Sequence, residues 1–505
     1  MGYRMNVPGS PNDAEVVIMG AGPAGLTAAY ELSKNGIQTL VLESDNLVGG
    51  IARTANYKGY LFDMGGHRFF TKVSLVEEMW KEVLGRDLIK RPRASRIYYR
   101  NKFFQYPLEP MNALSGLGVL EAVHCGISYL KAQCFPAKPE DDFETWVSNR
   151  FGKRLFQIFF KTYTEKVWGM RCREIKAEWA AQRIKDLSLL TVVWNALKPR
   201  AAIPRDKVIR TLIHEFLYPR KGPGMMWERT RDIVESRGSK VLLETPVEKI
   251  YWRPGAVDAV RAGGREFSAK HFVSSLPIRE LIHSLDPAPP DHVIRAADDF
   301  HYRDFLTVAL IIRGKDLFPD NWIYVHDPAV RVGRIQNYNN WSPDMVPDPE
   351  TTCLGLEYFC SEGDDVWNMG DAALIELGRK ELHQLGLVDA ASVLDGTVVR
   401  VKKAYPVYDS SYRHGLEVIQ EFLPSVPNLQ LVGRNGMHRY NNQDHSMLTA
   451  MLAARNIMGH NYDIWRINVD ADYHEAGAPI TEGELRELER TQPLTPSRLE
   501  GAAGD

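Results

Sequence analysis

Three glycines and one acidic residue near the start of the chain have the spacing of a dinucleotide-binding site. Gly20, Gly22 and Gly25 follow an apolar run, and Glu43 comes about 20 residues past the glycines. In such sites the first glycine permits a tight turn, the second lets the backbone approach a pyrophosphate, and the third lets a helix pack on a strand. The acid accepts hydrogen bonds from ribose hydroxyls. The chemistry expected here is therefore dinucleotide binding, with the phosphates at a helix N-terminus.

The periodicity around these residues predicts the strands and the helix that hold them. The apolar run Val16–Met19 predicts a strand, a helical pattern continues as far as Leu32, and a second strand is expected from Gln38 to Leu42. The alternative is a glycine-rich turn that binds nothing. Strand, helix, second strand and acid in register disfavour that alternative, so we predict a complete βαβ unit.

A second glycine-rich region follows, which a plain NAD-binding domain does not require. It contains the pair Gly49–Gly50, then Arg53, and later the pair Gly65–Gly66 directly before His67. This arrangement resembles flavoproteins of the amine-oxidase and glutathione-reductase type, in which a double glycine lies against the pyrophosphate and ring of FAD. The resemblance implies that Arg53 contacts the pyrophosphate and that His67 faces the flavin. The alternatives are a solvated loop arginine and a histidine satisfied within a turn.

Charge and cysteine content disfavour several classes of protein. Lys and Arg total 62 and Asp and Glu total 64, which gives a net charge of −2 and argues against general binding to nucleic acid or anionic membranes. The cysteines show neither CxxC nor metal-ligand spacing; they are Cys125, Cys134, Cys172, Cys353 and Cys360. We therefore expect no metal site and a reduced, cytoplasmic protein.

The sequence predicts no transmembrane segment. The first 15 residues lack the apolar core of a signal peptide, and Val16–Met19 is too short to span a bilayer. The most apolar helix candidate, Leu114 to Leu130, contains Glu121 and His124, and we expect it to be buried, with peripheral membrane attachment left open. The oligomeric state is also left open, including a homo-oligomer.

At 505 residues, the chain is long enough for two or three structural units. We predict an α/β fold with a Rossmann-type FAD-binding domain assembled from discontinuous segments, in which Val247 contacts the cofactor. The predicted divisions are 14–75, 216–277 and 398–463 for this domain, 110–215 for a helical substrate domain, 76–109 and 278–397 for a substrate-side antiparallel sheet, and 478–505 for a mobile tail.

Four further segments carry a more specific resemblance. They are Tyr163–Gly169 (YTEKVWG, with Arg183 on the helix after it), Gly333-Arg334-Ile335 with Trp341 downstream, Ala404-Tyr405-Pro406, and Gly433–Met447 (GRNGMHRYNNQDHSM). Together they resemble the UDP-galactopyranose mutases of bacteria and eukaryotes. With the glycine motif the matches run in order from about 16 to 458, and the NQDHS run is the most specific of them.

The resemblance implies a substrate site for a nucleotide-diphosphosugar. Arg183 and Arg334 match the two arginines that hold its pyrophosphate, and with His67 near the flavin ring they are the candidate catalytic residues. Other matched residues are expected to bind the substrate: Tyr163, Tyr405 and Tyr440 on the diphosphate, Trp168 beside the sugar, Arg434 at both the diphosphate and the flavin, and Asn442.

The resemblance also completes the list of residues expected at the cofactor. Gly433, Arg434, Gln443 and Asp444 match residues at the flavin and at the start of the last helix beneath it. Arg96 and Tyr106 match positions that bind a reducing nicotinamide nucleotide, NADPH or NADH, although Tyr98 stands where the family has serine.

Physical chemistry supports a diphosphate site independently. Arginine suits a pyrophosphate because its planar donors are bidentate and stay protonated, and tyrosine adds neutral donors. Trp168 could orient an apolar sugar face. The alternatives are that Arg183 stacks on Trp179, that Arg334 is a solvated strand residue, and that Trp168 belongs to the core. The interval between GRNGMHRY and NQDHS is shorter than in eukaryotic mutases, which leaves the uridine contacts and the sugar open.

The activity implied by the resemblance is interconversion of the pyranose and furanose forms of a UDP-galactose-like nucleotide sugar. In that reaction N5 of reduced FAD attacks the anomeric carbon, the nucleoside diphosphate leaves and later returns, and no net oxidation occurs. A place in cell-surface polysaccharide biosynthesis would follow. The alternatives are an FAD oxidoreductase of the amine oxidase or protoporphyrinogen oxidase type, since fold does not fix function, and a flavin-holding structural subunit.

Overall fold

The structure, a computed structural model, describes residues 14–106, 110–177, 215–409 and 411–467. Arg183, the later part of the predicted helical domain and the predicted tail at 478–505 lie outside the described residues. Within the described residues, no helix is both long enough and apolar enough to cross a membrane.

The strands form two large sheets and two small ones. In chain order they are β1 (Ala14–Met19), β2 (Thr39–Leu42), β3 (Thr54–Tyr57), β4 (Tyr60–Asp63), β5 (Leu88–Pro92), β6 (Ser95–Tyr99), β7 (Lys102–Gln105), β8 (Glu215–Pro219), β9 (Lys240–Leu242), β10 (Val247–Arg253), β11 (Ala256–Ala262), β12 (Arg265–Ser274), β13 (Leu285–Asp286), β14 (Tyr302–Arg313), β15 (Trp322–Val325), β16 (Arg334–Asn337), β17 (Thr351–Cys360), β18 (Val393–Pro406) and β19 (Leu429–Leu431).

Helices cover both large sheets. In chain order they are α1 (Pro23–Lys34), α2 (Ser74–Leu84), α3 (Pro110–Leu117), α4 (Val119–Cys134), α5 (Phe143–Phe151), α6 (Lys153–Phe156), α7 (Thr162–Trp168), α8 (Gly224–Ser236), α9 (Ile278–His283), α10 (Asp291–Asp298), α11 (Tyr338–Trp341), α12 (Asp365–Asn368), α13 (Asp371–Gln384), α14 (Tyr412–Phe422), α15 (Gly433–Gly436) and α16 (Gln443–Ile457). A π-helical turn, Gln157–Lys161, joins α6 to α7.

The first large sheet contains the predicted βαβ unit. Its order is β13-β10-β11-β12-β1-β2-β9, with β19 paired to β12. Strand β1 is parallel to β2 and β12, so that Val16 faces Thr39 and His271 across the two ladders. Helices α1, α8 and α16 cover one face and α9, α10 and α14 cover the other. Burial on both faces explains why β1 is continuously apolar and fully buried from Val16 onward.

The second large sheet positions the segments expected at the substrate. Its order is β18-β14-β17-β16-β15-β6-β7. All neighbours are antiparallel except β15 and β6, which are parallel, so the predicted antiparallel sheet is mixed at that pair. On one face Phe305 of β14 and Tyr405 of β18 pack against Trp168 of α7 in one apolar cluster. This packing brings the YTEKVWG segment to the sheet.

The strand pairing contradicts two of the predicted domain boundaries. Strand β18 pairs with β14 from Val393 to Pro406, so the boundary at 398 cuts through a strand of the second sheet. The short strand β13 and helices α9 and α10 belong to the first sheet, so the boundary at 278 falls too early. Local periodicity shows that a strand exists but not which sheet it joins. The other boundaries stay predictions.

The expectation of a buried helix within 114–130 is also wrong. Helix α4 buries Cys125 and Tyr129 on one side, whereas its opposite side exposes a row of large apolar residues. Hydrophobicity alone predicted burial, but the remaining described residues cover only one face of this helix.

Candidate active site

The glycine motif forms a tight backbone cradle at the end of β1. A Cβ atom at Gly25 would lie 1.8 Å from the carbonyl oxygen of Gly20, and Gly20 itself has a φ of 101°. Neither position tolerates a side chain. A Cβ atom at Gly50 would lie 3.2 Å from the Cα atom of Gly22, so both glycine loops meet at the N-terminus of α1. The exposed N–H groups there suit a pyrophosphate.

Glu43 lies next to this cradle, at the end of β2. One carboxylate oxygen accepts a hydrogen bond from the N–H of Ala21 at 2.7 Å, and the other accepts one from the N–H of Asp45 at 3.0 Å. Arg53 forms an ion pair with Asp45. Val247 begins β10, two residues after Thr245, whose N–H donates to the carbonyl of Glu43 at 2.7 Å. The structure thus brings all three predicted cofactor residues to one edge of the sheet.

The second double glycine places His67 where the charges of two arginines reach it. Gly66 is exposed, next to buried Gly65 and half-buried His67, and a Cβ atom there would lie 2.9 Å from Nε2 of Gln336. The ring Nδ1 of His67 donates to the carbonyl of Gly65 at 3.1 Å. Burial, and then the positive charges of Arg434 and Arg334, lower the pKa of His67 to about 3. His67 is therefore neutral at physiological pH, and its Nε2 is available as an acceptor.

Arg334 is held by a carboxylate that the sequence analysis missed. Its Nε donates to Glu357 at 2.8 Å across the β16–β17 ladder, where the two residues face each other. The arginine side chain is 17% exposed and that of Glu357 is fully buried. Burial lowers the pKa of Arg334, but the charge of Glu357 outweighs this and places the pKa well above its usual value. Arg334 is thus a permanent, oriented cation and not a solvated strand residue.

Two more side chains complete the support of Arg334. Gln336 donates from Nε2 to the second oxygen of Glu357 at 2.8 Å, and its own Oε1 accepts from the indole of Trp341 at 3.0 Å. The sequence does contain a signal for Glu357, because it is a carboxylate within the apolar run LGLEYFC of β17. Buried charges are rare unless they are paired, so a cationic partner is expected for it.

An aromatic and cationic cluster lies beside this network. The rings of Tyr405 and Tyr440 stack with centroids 5.5 Å apart, and Trp168 packs 6.5 and 6.3 Å from them. The guanidinium of Arg434 lies 5.6 Å from the ring of Tyr405 and 4.8 Å from that of Tyr440. It also donates to the carbonyls of Asn441 and Ala404, both at 2.8 Å. Four predicted substrate residues from three distant segments are therefore neighbours.

Tyr163 approaches from α7. Its ring stacks on His326 at 4.9 Å, and burial raises its pKa well above the usual value, so the hydroxyl is a neutral donor. Lys166, one turn later, donates to the carbonyls of Val325, Asp327 and Val332 at 3.2, 2.7 and 3.0 Å. Sequence reasoning did not single out Lys166, although it lies inside the YTEKVWG run. It fastens α7 to the loop after β15.

The last helix begins beneath the same region. Asn442 is the N-cap of α16, and Gln443 opens the helix with both its amide oxygen and nitrogen buried without a partner in the described chain. Asp444 Oδ1 lies 2.9 Å from Nδ1 of His445. A Cβ atom at Gly433 would lie 2.9 Å from Cβ of Ala24 on α1, so this segment closes on the glycine cradle. An orphaned amide and a backbone cradle fit a large polar cofactor such as FAD.

The two residues expected to bind nicotinamide lie on the far strands of the second sheet. Arg96 forms an ion pair with Asp320 at 2.5 Å and stacks on Phe103 at 4.0 Å. Tyr106 is 41% exposed and contacts Tyr324 at 4.7 Å. Tyr98, the departure from the family, is buried and donates to the carbonyl of Leu385 at 2.9 Å. The nicotinamide role of Arg96 and Tyr106 stays a prediction.

Comparison with known proteins identifies the family. A family model described as flavin-containing amine oxidoreductase matches residues 23–458. The chain belongs to this family. The predicted flavoprotein superfamily and α/β fold are thereby confirmed, the protein is a flavoenzyme, and its cofactor is FAD.

Individual relatives of this flavoenzyme point in two directions. A crystal structure of reduced UDP-galactopyranose mutase matches with a TM-score of 0.77 and 20% identity, over 93% of this chain and all of that one. Putrescine oxidase bound to putrescine matches with a TM-score of 0.59 and 15% identity, over 88% and 99%. At such identities the likeness shows the fold alone. An L-amino-acid oxidase of Crotalus adamanteus is 45% identical over 71 residues, which span only 14% of either chain.

Proposed function

We propose that this flavoenzyme is a nucleotide-sugar mutase that interconverts the pyranose and furanose forms of a UDP-galactose-like substrate. The observation that carries the proposal is the largely buried, permanently charged Arg334, held by Glu357. Its guanidinium lies 5.9 Å from the ring of Phe359, which packs 6.0 Å from the ring of Tyr405, and Arg434 lies 5.6 Å from that second ring. Both arginines lie near enough to His67 to lower its pKa. Two guanidinium groups among tyrosine hydroxyls match a diphosphate, which carries about two negative charges.

The same geometry disfavours an amine substrate, the alternative that the family description and the oxidase relatives support. A cationic amine would face two arginines at close range, which repel it. The rings of Tyr405 and Tyr440 are stacked 5.5 Å apart, a separation already filled by ring-to-ring contact, so no ligand fits between them. An oxidoreductase with a different substrate remains the second candidate.

FAD, held by the glycine cradle, Glu43 and the start of α16, supplies when reduced a nucleophilic nitrogen for the anomeric carbon. The chain's own residues act on the diphosphate. As the bond between the anomeric carbon and the diphosphate oxygen breaks, Arg334 and Arg434 balance the charge that develops on that oxygen. The diphosphate oxygen leaves with the electron pair of that bond, and the arginines retain the diphosphate until the same pair forms the bond again, so the reaction has no net oxidation or reduction.

The remaining residues orient the substrate, and two of them, Tyr163 and His67, stay in their neutral forms. Tyr163 stays neutral and donates from its hydroxyl, as its raised pKa requires. Trp168 lies beside the stacked tyrosines, where an indole face can order the sugar. Neutral His67 can accept a hydrogen bond at Nε2, beside the double glycine that would lie against the flavin. The cysteines of the chain are all free, which fits a reducing compartment, and we place the enzyme in the cytoplasm.

The deciding experiment is an anaerobic incubation of dithionite-reduced protein with UDP-galactopyranose, UDP-galactofuranose and other nucleotide sugars, followed by product separation. We expect a pyranose–furanose isomer from reduced protein and none from the oxidised control. No isomer across the panel, with FAD bound and reducible, would contradict the mutase. Oxygen uptake with an amine or another donor would then establish the oxidoreductase.

A further inference from the structure

Helix α4 presents an apolar face to solvent. Of the nine large apolar side chains exposed in the described residues, six lie on or beside this helix. They are Val119 (81% exposed), Leu120 (82%), Val123 (52%), Ile127 (60%), Leu130 (62%) and Phe135 (78%). A concentration of this kind marks an interaction surface.

Four of these residues have the spacing of a helix-pairing seam. Leu120, Val123, Ile127 and Leu130 follow one another at intervals of three, four and three residues, which is the heptad pattern of a coiled coil. We call these four residues the α4 seam. Gly126 lies beside it, exposed and with no atom within 4 Å of the place a Cβ would occupy. The buried residues of the helix, Cys125 and Tyr129, lie on the opposite side.

We propose that the α4 seam is covered by the α4 seam of a second copy of this chain, in antiparallel orientation. With a two-fold axis near residue 125, Leu120 of each copy meets Leu130 of the other, and Val123 meets Ile127. Every layer then pairs apolar side chains, and the contact is self-complementary, as a two-fold interface requires. This inference stands apart from the proposed reaction and concerns a different face of the molecule.

The charges of α4 favour the antiparallel arrangement. Its one carboxylate, Glu121, is already paired with Arg154, and its one lysine, Lys131, is exposed. Antiparallel pairing places Lys131 of one copy level with Val119 of the other copy, and Val119 is two residues from Glu121. It also sets the two helix dipoles in opposite directions, which is favourable. Parallel pairing would set the two Lys131 side chains and the two dipoles side by side.

The sequence of the helix disfavours a lipid bilayer as the occupant of this face. Interfacial membrane helices carry a polar face rich in lysine and arginine, which anionic lipid attracts. Helix α4 has a single lysine, so the electrostatic part of that attraction is nearly absent. A second copy needs no such charge, since the α4 seam is entirely apolar.

Sedimentation velocity of the full-length, FAD-loaded protein tests the dimer. We expect a mass of two chains for the wild type and of one chain for Ile127→Glu, because a charge in the α4 seam would be buried in the pair. The matched control is Leu394→Glu, which alters an apolar residue that is 47% exposed elsewhere and should stay dimeric. A monomeric wild type, or a dimeric Ile127→Glu variant, would overturn the proposal.

A short bis-maleimide cross-linker tests the orientation. Cys134 is the exposed one of the five cysteines, and antiparallel pairing separates the two Cys134 residues by about 27 Å, since each lies nine residues from the axis. The wild type should therefore not cross-link, whereas Gly126→Cys in a Cys134→Ser background should, next to the axis. Cross-linking through native Cys134 would show parallel pairing and overturn the arrangement. A monomer that floats with phosphatidylserine vesicles through Ile127 would assign the face to membrane instead.

Discussion

The cofactor side of this flavoenzyme and the side proposed to bind the substrate, here called the substrate side, are built in different ways. At the cofactor side, backbone groups of Gly20, Gly22 and Gly25 come from one short stretch of chain, and side chains must be absent there. At the substrate side, charged and aromatic side chains come from α7, β16, β17, β18 and the loop before α16. The first site depends on close backbone approach, and the second depends on strand register and on buried charge.

The difference predicts how each side fails. A substitution in the cradle should remove the cofactor and the local fold together, because backbone atoms cannot move aside. A substitution at the substrate side should leave FAD bound and lower turnover, because its residues rest on a sheet that stays intact. Variants chosen from each side test this distinction.

The largest effect is expected for Gly25→Ala. The added methyl group would lie 1.8 Å from the carbonyl oxygen of Gly20, so α1 cannot pack on β1. We expect loss of nearly all bound FAD, measured as flavin absorbance per chain in purified protein. Gly370→Ala is the control, because its φ is −66° and no atom lies within 4 Å of the new methyl. Normal flavin content in Gly25→Ala would refute the cradle.

Arg334→Met tests the substrate side. We expect kcat/KM of the reduced enzyme for the proposed nucleotide-sugar substrate to fall about 30- to 1000-fold, which corresponds to about 2–4 kcal/mol for loss of a largely buried, hydrogen-bonded charge. Flavin content should not change. Arg379→Met removes a partly exposed arginine that pairs with Glu376 and should leave both quantities unaltered. If Arg334→Met lost FAD as well, the two sides would not be separable.

Lys166→Met probes the attachment of α7. The ammonium group donates to three carbonyls of the loop that contains His326, on which Tyr163 stacks. Without it, Tyr163 should be less well placed, and we expect kcat/KM to fall about tenfold, or about 1.4 kcal/mol. Flavin content should be retained. The control is Lys161→Met, an exposed lysine on the preceding π-helical turn, for which we expect no change.

The two sides also differ in how much the sequence could predict. Gly20, Gly22, Gly25 and Glu43 were assigned from spacing alone, because a βαβ unit is local and its glycines are fixed by backbone contact. The Arg334–Glu357 pair could not be assigned that way, since it depends on which residues of two strands face each other. Residues separated by many positions in sequence reveal their pairing only when the register is known.

The same reasoning explains the remaining errors. The boundary predicted at 398 falls inside β18, and only the ladder of β18 with β14 shows that the strand is continuous from Val393 to Pro406. Helix α4 was expected to be buried because its composition is apolar, whereas the structure shows which of its faces has a neighbour. An apolar composition shows that a helix favours burial, but only the tertiary structure shows which face of the helix contacts the rest of the protein.

The last comparison concerns stability and not turnover, at His326 beneath Tyr163. Burial, and then the charge of Lys166, lower the pKa of His326 to about 3 from an ordinary value of 6.5. Between these values the unfolded chain binds a proton that the folded chain does not, so stability falls as pH falls below 6.5. The contribution of this group is about 1.4 kcal/mol per pH unit. Measured by urea unfolding from pH 7 to 5, His326→Gln should lose stability less steeply than the wild type.

The matched control for this titration is His414→Gln, since His414 is largely exposed on α14. Its pH dependence of unfolding should overlay that of the wild type. Flavin content of both variants should be normal, because neither residue touches the glycine cradle. If the slope of His326→Gln equalled that of the wild type, His326 would titrate normally in the folded protein, and the packing of Tyr163 on a neutral imidazole would be refuted.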